Sequence, residues 1–137
     1  MVRILNATQS RGEIESILTR ANSHITIISP YIKMNEELIS RLFDASRRGV
    51  KITLVCREKD LREVERKKVE SIPSLDLCFN ERVHTKCFYN ETSMVITSLN
   101  LYDSSVGNNH EMGVFLSEEI VSDKLALQDA RTEAGYI

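Results

Sequence analysis

The sequence predicts an α/β protein with a mixed β-sheet flanked by helices on both faces. β-Branched runs alternate with amphipathic helical patterns in the first half of the chain, and strand-like runs follow one another in the second half. The length of 137 residues is typical of one domain. With 42% hydrophobic and 28% charged residues the composition is that of a globular protein and not of a disordered chain. We therefore expect a single domain over residues 1–137.

The first elements alternate between strand and helix. The short apolar run Val2–Leu5 predicts a strand. Ser10, with Glu13 three residues later, has the pattern of a capping box and predicts the start of the first helix. The β-branched run His24–Ser29 ends at a proline and predicts a strand buried on both faces.

A second helix and a second buried strand are predicted next. Asn35 is a suitable N-cap for the helix, and Gly49 is a natural stop. The run Val50–Cys56 predicts the following strand. A further capping-box pattern begins at Asp60 and predicts a charged helix over Leu61–Ser71. We interpret this helix mainly as a solvated face, with a nucleic-acid surface as the alternative.

The second half of the chain is dominated by strands. A long polar connection, Leu99–His110, is rich in Ser and Asn and is typical of a functional loop. The tail Glu118–Arg131 predicts a closing helix. The predicted strands are Leu75–Phe79, Val83–Asn90, Met94–Thr97 and Glu111–Leu116.

Composition restricts the possible partners. Eighteen Lys and Arg against 20 Asp and Glu give a net charge of −2, which argues against a broad basic surface for unspecific DNA binding. No apolar run has the length of a membrane span, and the N-terminus lacks a signal-peptide core, so we expect a cytoplasmic protein without stable membrane association. The three cysteines are expected to be buried, reduced thiols. No His or Cys spacing suggests a metal site, and we expect no cofactor.

The stretch around His84 carries the chemistry. On a strand, His84 and Lys86 would project from one face, because alternate residues share a face. Burying an unpaired lysine beside an imidazole in the core is costly, whereas the two groups together suit a site that binds an anion. The two residues alone would also fit an exposed edge strand. His24 is interpreted as a strand-edge residue, whereas His110 could lie near the site or in a solvent-exposed loop.

The residues that follow resemble the motifs of the phospholipase D superfamily, which are His-x-Lys-x4-Asp, a Ser-x-Asn step and a downstream Asn-x-Glu. The Ser29-Pro30-Tyr31 step also resembles the N-terminal half of that family. One position departs from the pattern, because Glu91 stands where the family has Asp. The matching residues are His84, Lys86, Ser98, Asn100, Asn109 and Glu111.

The resemblance implies a metal-independent phosphodiesterase. His84 would attack phosphorus and form a phosphohistidine, and Glu111 would orient its imidazole. Lys86 and Asn100 would bind the non-bridging oxygens, and Ser98 could add a hydroxyl donor. The supporting residues would be Glu91, Asn109 and Tyr31, where Tyr31 either walls the phosphate pocket or simply packs. Independently of the resemblance, Tyr102, Asp103, Ser104 and Ser105 in the polar connection could shape access to the site.

The resemblance also implies a partner copy, because the family's reaction uses two histidines and this chain has a single His-x-Lys motif. A two-fold homodimer would supply the second set. We expect a nuclease acting on nucleic acid, with a partner protein or local basic residues such as Arg47, Arg48, Arg57 and Arg82 assisting binding. Two alternatives are a phospholipid phosphodiesterase or phosphatidyltransferase, and a non-catalytic dimeric binding module in a larger nucleic-acid-processing complex.

Overall fold

The structure is a computed structural model that describes residues 2–99 and 110–137. Within these residues seven strands form one mixed sheet in the order β1-β7-β6-β5-β2-β3-β4. β2, β3 and β4 run parallel, and the other neighbouring pairs are antiparallel. The strands are β1 (Arg3–Asn6), β2 (His24–Ile28), β3 (Lys51–Cys56), β4 (Leu75–Phe79), β5 (Cys87–Asn90), β6 (Ser93–Thr97) and β7 (Met112–Ser117).

Helices cover both faces of this sheet, as the sequence predicts. On one face, α1, α2 and α3 pack over a core that includes Ile17, Leu42 and Phe88. On the other face, α4 buries Leu127 against Met94 and the neighbouring strand residues. The described helices are α1 (Ala7–Arg20), α2 (Glu36–Arg47), α3 (Glu63–Glu70) and α4 (Lys124–Ala134), with one-turn 3₁₀ helices at Glu58–Asp60 and Val121–Asp123.

Two helix starts differ from the predicted ones. α1 begins after Asn6, whose side chain accepts from the Gln9 amide at 2.8 Å while the Gln9 side chain accepts from the Asn6 amide at 2.9 Å. Ser10 lies inside the helix and is fully buried, so it is not the cap. Asp60 belongs to a 3₁₀ turn, and α3 follows Arg62 without a side-chain cap.

The second helix begins and ends as predicted. The Asn35 side chain accepts from the Leu38 amide at 2.9 Å, which caps α2. Gly49 has a φ of +85°, a left-handed conformation that glycine adopts without a Cβ penalty.

Several strand limits shift by a residue or more. β1 covers Arg3–Asn6 where Val2–Leu5 was predicted, and β3 begins at Lys51, one residue after the predicted start. β7 covers Met112–Ser117 and not Glu111–Leu116. The largest correction concerns the predicted strand Val83–Asn90, because β5 contains only its second half.

The tail and the cysteines also need correction. The final helix is shorter and later than predicted, with Leu127 buried and Leu125 exposed on its outer side. Cys78 is exposed on the edge strand β4, whereas Cys56 and Cys87 are buried as expected. Burial raises the pKa of the Cys87 thiol to about 12. In the part of the chain that the structure describes, no helix is both long enough and apolar enough to cross a bilayer.

Candidate functional site

The sheet topology gathers the motif residues at one end. β5 runs antiparallel to β2, so the residues before β5 lie at the carboxyl end of β2. β6 and β7 each reverse direction again, which places the end of β6 and the start of β7 at that same end. His84, Lys86, Ser98 and Glu111 therefore come together at what we call the histidine end of the sheet.

His84 and Lys86 lie just before β5 and not within it. The pairing of β2 with β5 ends at Ile28 and Cys87, and the chain after β2 bends at Pro30 and Tyr31. The Thr97 amide still donates to the Lys86 carbonyl at 3.0 Å, so β6 supports one side. The expectation that a regular strand carries both side chains is wrong.

The two side chains are unengaged in this part of the molecule. His84 is exposed and Lys86 is half-buried. Among residues 2–99 and 110–137, neither side chain makes a hydrogen bond or an ion pair. An imidazole and an ammonium group that face solvent without protein partners are available to bind an anion.

Ser98 and Glu111 form a closed pair beside them. The Ser98 hydroxyl donates a hydrogen bond to Glu111 Oε2 and accepts one from the Met112 amide at 3.1 Å. The Ser98 amide donates to the Met112 carbonyl at 3.0 Å. The Ser98 hydroxyl proton is thus directed at Glu111 Oε2, with the Met112 carbonyl at 3.4 Å as a second acceptor. The expected bond from His84 to Glu111 is not among the contacts of the described residues and stays a prediction.

Two neighbours that the sequence reasoning missed support this pair. Thr97 Oγ1 donates to the Met112 carbonyl at 3.1 Å and accepts from the Leu99 amide at 3.0 Å. A Cβ on Gly113 would lie 2.6 Å from Ser10 Oγ and 3.2 Å from the Ile96 carbonyl oxygen. The available signal was Gly113 itself, two residues after Glu111 of the Asn-x-Glu motif, because a glycine there allows β7 to approach α1.

Glu91 lies at the opposite end of the sheet, in the turn between β5 and β6. Its carboxylate accepts backbone amides of Asn22 at 3.0 Å, Ser23 at 2.9 Å and His24 at 3.4 Å. Partial burial acts to raise the pKa of Glu91, but these backbone hydrogen bonds outweigh it and hold the pKa below its usual value. We call this the glutamate end of the sheet; here the carboxylate ties the start of β2 to the β5–β6 turn.

Tyr31 and Arg57 follow β2 and β3 and so lie at the histidine end. Tyr31 is exposed, and the Arg57 guanidinium carbon lies 5.7 Å from its ring centroid. Arg57 Nε donates to the Val83 carbonyl at 2.7 Å. Sequence reasoning counted Arg57 only as one of several basic residues, since no local pattern signals this contact.

The other candidates fall elsewhere. The His24 ring packs edge-on against Tyr89, with centroids 6.0 Å apart, at the glutamate end. His110 is exposed. In the described ranges, no group of three or more His, Cys, Asp or Glu residues is placed to hold a metal ion. The predicted residues Asn100, Tyr102, Asp103, Ser104, Ser105 and Asn109 lie outside the described residues.

Known proteins share this fold. Nuc from Salmonella typhimurium, a phospholipase D family member, is 17% identical with a TM-score of 0.70, covering 97% of this chain and 94% of its own. NucT from Helicobacter pylori is 11% identical with a TM-score of 0.73, covering 96% and 94%. TrmBL2, an archaeal chromatin protein with a novel mode of DNA binding, is 16% identical with a TM-score of 0.69, covering 98% of this chain and 52% of its own.

The sequence itself gives a family match. No curated protein sequence matches the chain. The family model described as cardiolipin synthase, PLD-like domain, matches residues 14–128, which include all of the described motif residues. Since that match spans most of the chain and the solved structures share its fold, the chain belongs to the phospholipase D superfamily, a family with phosphodiesterase-type chemistry.

Proposed function

We propose that the protein is a metal-independent phosphodiesterase that cleaves nucleic acid through a phosphohistidine at His84, as a homodimer. The observation that carries this proposal is the pair formed by His84 and Lys86. Both side chains lie at the end of the sheet where the motif residues meet, without protein partners among the described residues. A scaffold protein has no need for a solvent-facing nucleophile beside an unpaired cation.

The reaction has two displacement steps. A ring nitrogen of His84 attacks phosphorus, the bond from phosphorus to the leaving oxygen breaks, and that oxygen takes a proton from the same histidine of the second copy. Water then attacks phosphorus and gives its proton to that second histidine, while the phosphorus–nitrogen bond breaks. Lys86 and Asn100 hold the non-bridging oxygens in both steps.

The remaining motif residues have supporting roles. Glu111 orients the His84 ring, and Ser98 holds Glu111 through its hydroxyl, so Ser98 reaches a phosphate oxygen only if it releases Glu111. Tyr31 lines the site next to Arg57. Glu91 and Asn109 support the fold around the site, Glu91 from the far end of the sheet.

The homodimer is supported by an uncovered apolar patch on the sheet. Ile4 and Ile96 are register partners of Val114, and Met112 lies two residues earlier on the same strand, so all four share the face that α4 packs against. Ile4, Ile96 and Met112 are nevertheless 60%, 38% and 65% exposed. This patch of Ile4, Ile96, Met112 and Val114 adjoins Ser98, where a second copy must come to complete a two-histidine site.

Nucleic acid is the favoured substrate because the DNA-binding protein TrmBL2 shares this fold. Because the net charge is −2, binding of nucleic acid would depend on local cations or on a partner protein. Arg48 and Arg57 are already engaged with backbone carbonyls. Arg47 is exposed and, among the residues that the structure describes, pairs with Asp44, and Arg82 is exposed. The family model, described as cardiolipin synthase, favours a phospholipid ester as the second candidate substrate.

The first experiment measures hydrolysis of bis(p-nitrophenyl) phosphate in excess EDTA by the wild type, His84→Ala and His24→Ala. His24 is the matched control, because it is a histidine at the opposite end of the sheet. We expect turnover that resists EDTA, is lost in His84→Ala by at least about 10³-fold and remains in His24→Ala. Turnover that survives in His84→Ala, or that EDTA removes, would contradict the proposal.

Substrate class is tested with the same three proteins. Single-stranded DNA, duplex DNA, RNA and vesicles of an anionic phospholipid are offered at matched phosphodiester concentration. Cleavage of a nucleic acid that depends on His84 supports the nuclease. Cleavage of the vesicle lipid alone would show a phospholipid phosphodiesterase and contradict the nuclease. A folded dimer that binds these ligands without cleaving any of them would favour the non-catalytic binding module.

The patch is tested by Ile4→Glu, with Leu125→Glu as the control because Leu125 is a similarly exposed apolar residue on α4 (70% against 60% for Ile4). We expect Ile4→Glu to be monomeric by light scattering and inactive, and Leu125→Glu to stay dimeric and active. A wild-type monomer with full turnover would contradict the shared site.

A further inference from the structure

Arg57 is held tightly at the histidine end, directly after β3. Its Nε donates to the Val83 carbonyl at 2.7 Å, and its Nη1 lies 3.5 Å from the Asp60 carboxylate. The guanidinium also lies over the Tyr31 ring. The side chain is only 19% exposed. Arg57 is therefore fixed from several sides and its contact with Val83 is charge-assisted.

The Val83 carbonyl matters because it belongs to the peptide unit that joins Val83 to His84. A peptide unit is planar, so a donor that holds the carbonyl oxygen also fixes the plane containing the His84 amide. The same plane contains the His84 Cα, so fixing it fixes the point from which the imidazole side chain projects. Among the described residues, Arg57 provides the single side-chain hydrogen bond to the backbone of residues 83–86.

The rest of this turn is anchored independently of Arg57. The Glu81 carboxylate accepts the Glu58 amide at 2.7 Å and the Lys59 amide at 3.4 Å. The Asn80 amide donates to the Cys56 carbonyl at 2.9 Å. Loss of the Arg57 side chain would therefore leave the turn attached to β3 and release mainly the peptide unit before His84.

We propose that Arg57 is a positioning residue that holds the Val83–His84 peptide unit and thereby aims the His84 imidazole. This inference rests on the proposed phosphohistidine chemistry at His84. Since Nε is bound to Val83 and Nη1 lies against Asp60, Arg57 acts on the histidine through the backbone and is not one of the groups that bind the phosphate.

The kinetic test compares Arg57→Gln and Arg57→Lys with the wild type. A displacement of about 1 Å can cost about 100-fold in rate, so we expect kcat to fall by about 10- to 100-fold with KM within about 2-fold. Lysine keeps the charge but cannot contact both Val83 and Asp60 through a planar fork, so Arg57→Lys should resemble Arg57→Gln. Wild-type kcat in either variant, or a raised KM with unchanged kcat, would overturn the proposal.

Arg48→Gln is the matched control. Arg48 Nη2 also donates to backbone carbonyls, those of Leu18 at 3.2 Å and Ala21 at 3.0 Å, but it does so at the end of α1. We expect it to lower the unfolding temperature without changing kcat. An equal loss of kcat in Arg48→Gln would show that the Arg57 effect is a loss of stability and would overturn the proposal.

A second measurement does not depend on turnover. The imidazole NMR signals of the three histidines are recorded for the wild type and Arg57→Gln, with His84→Ala and His24→Ala to assign the His84 and His24 signals. We expect the His84 signals to shift or broaden while the His24 signals stay in place. Unchanged His84 signals would overturn the proposal. Should the wild type hydrolyse no phosphodiester, the proposed function fails while these spectra still decide the role of Arg57.

Discussion

The two ends of the sheet show opposite uses of charged side chains. At the glutamate end, one carboxylate is saturated by three backbone amides and its negative charge stabilises the fold. At the histidine end, an imidazole and an ammonium group have no protein partner among the described residues. Glu91 is thus bound within the fold of this chain, whereas His84 and Lys86, which lie seven and five residues before it, are open to a ligand.

The contrast between the two ends requires that the histidine end is closely packed beneath its free side chains. Gly113→Ala tests this, because its Cβ would lie 2.6 Å from Ser10 Oγ and 3.2 Å from a backbone oxygen. We expect a loss of about 3 kcal/mol in the free energy of unfolding. Ser10→Ala combined with Gly113→Ala should recover part of it in urea unfolding. A Gly113→Ala protein of wild-type stability would contradict close packing here.

The glutamate end is tested by Glu91→Ala. Removing the carboxylate leaves three backbone amides near the surface without their acceptor, and we expect a loss of about 2 kcal/mol in the free energy of unfolding. The kcat of the folded fraction should stay at the wild-type value, unlike that of His84→Ala. A large fall in kcat at unchanged stability would place Glu91 in the chemistry and remove the contrast between the ends.

The same contrast predicts a pH dependence. The pKa of Glu91 is lower in the folded than in the unfolded protein, so its stabilisation is present above the unfolded value of about 4.5 and is lost as pH falls through the folded pKa. The stability difference between the wild type and Glu91→Gln should therefore be constant near neutral pH and shrink in acid. Urea unfolding across this range measures it, and a difference that grows on acidification would contradict the sign.

The smallest effect concerns thiol reactivity. Burial raises the pKa of Cys56 to about 11 and that of Cys87 to about 12, whereas Cys78 is exposed. We expect one thiol per chain to react rapidly with a disulfide reagent at pH 8, and Cys78→Ser to remove that phase. Cys87 is the first residue of β5 and directly follows Lys86. Fast reaction of Cys87 would show that reagent reaches the core of the histidine end as well as its surface.

Local signals predicted much of the fold. The strand Leu75–Phe79 and the N-cap Asn35 needed only neighbouring residues to be recognised, and both are confirmed. The first helix start was wrong because two capping patterns compete there. Asn6 with Gln9 forms the box, while Ser10 is buried by contact with β7, more than a hundred residues later in the chain.

The candidate site was likewise predictable only in part from local sequence signals. The antiparallel reversals of β5, β6 and β7 bring His84, Lys86, Ser98 and Glu111 to one end of the sheet, and their catalytic roles stay predictions. The strand expected at His84 was wrong, because the pairing of β2 with β5 ends at Cys87, and that loss of a partner is a tertiary event. The contacts of Arg57 with Val83 and of Ser98 with Glu111 depend on side-chain geometry that no spacing encodes.

The pairing of β1 with β7 has a consequence for the order of folding. Arg3–Asn6 pairs with Met112–Phe115, more than a hundred residues later, so this pairing closes a long loop at a large entropic cost. The parallel pairing of β2 with β3 joins segments less than thirty residues apart. We therefore expect β7, which directly follows Glu111, to join the sheet late in folding, and the histidine end to be the last part of the sheet to form.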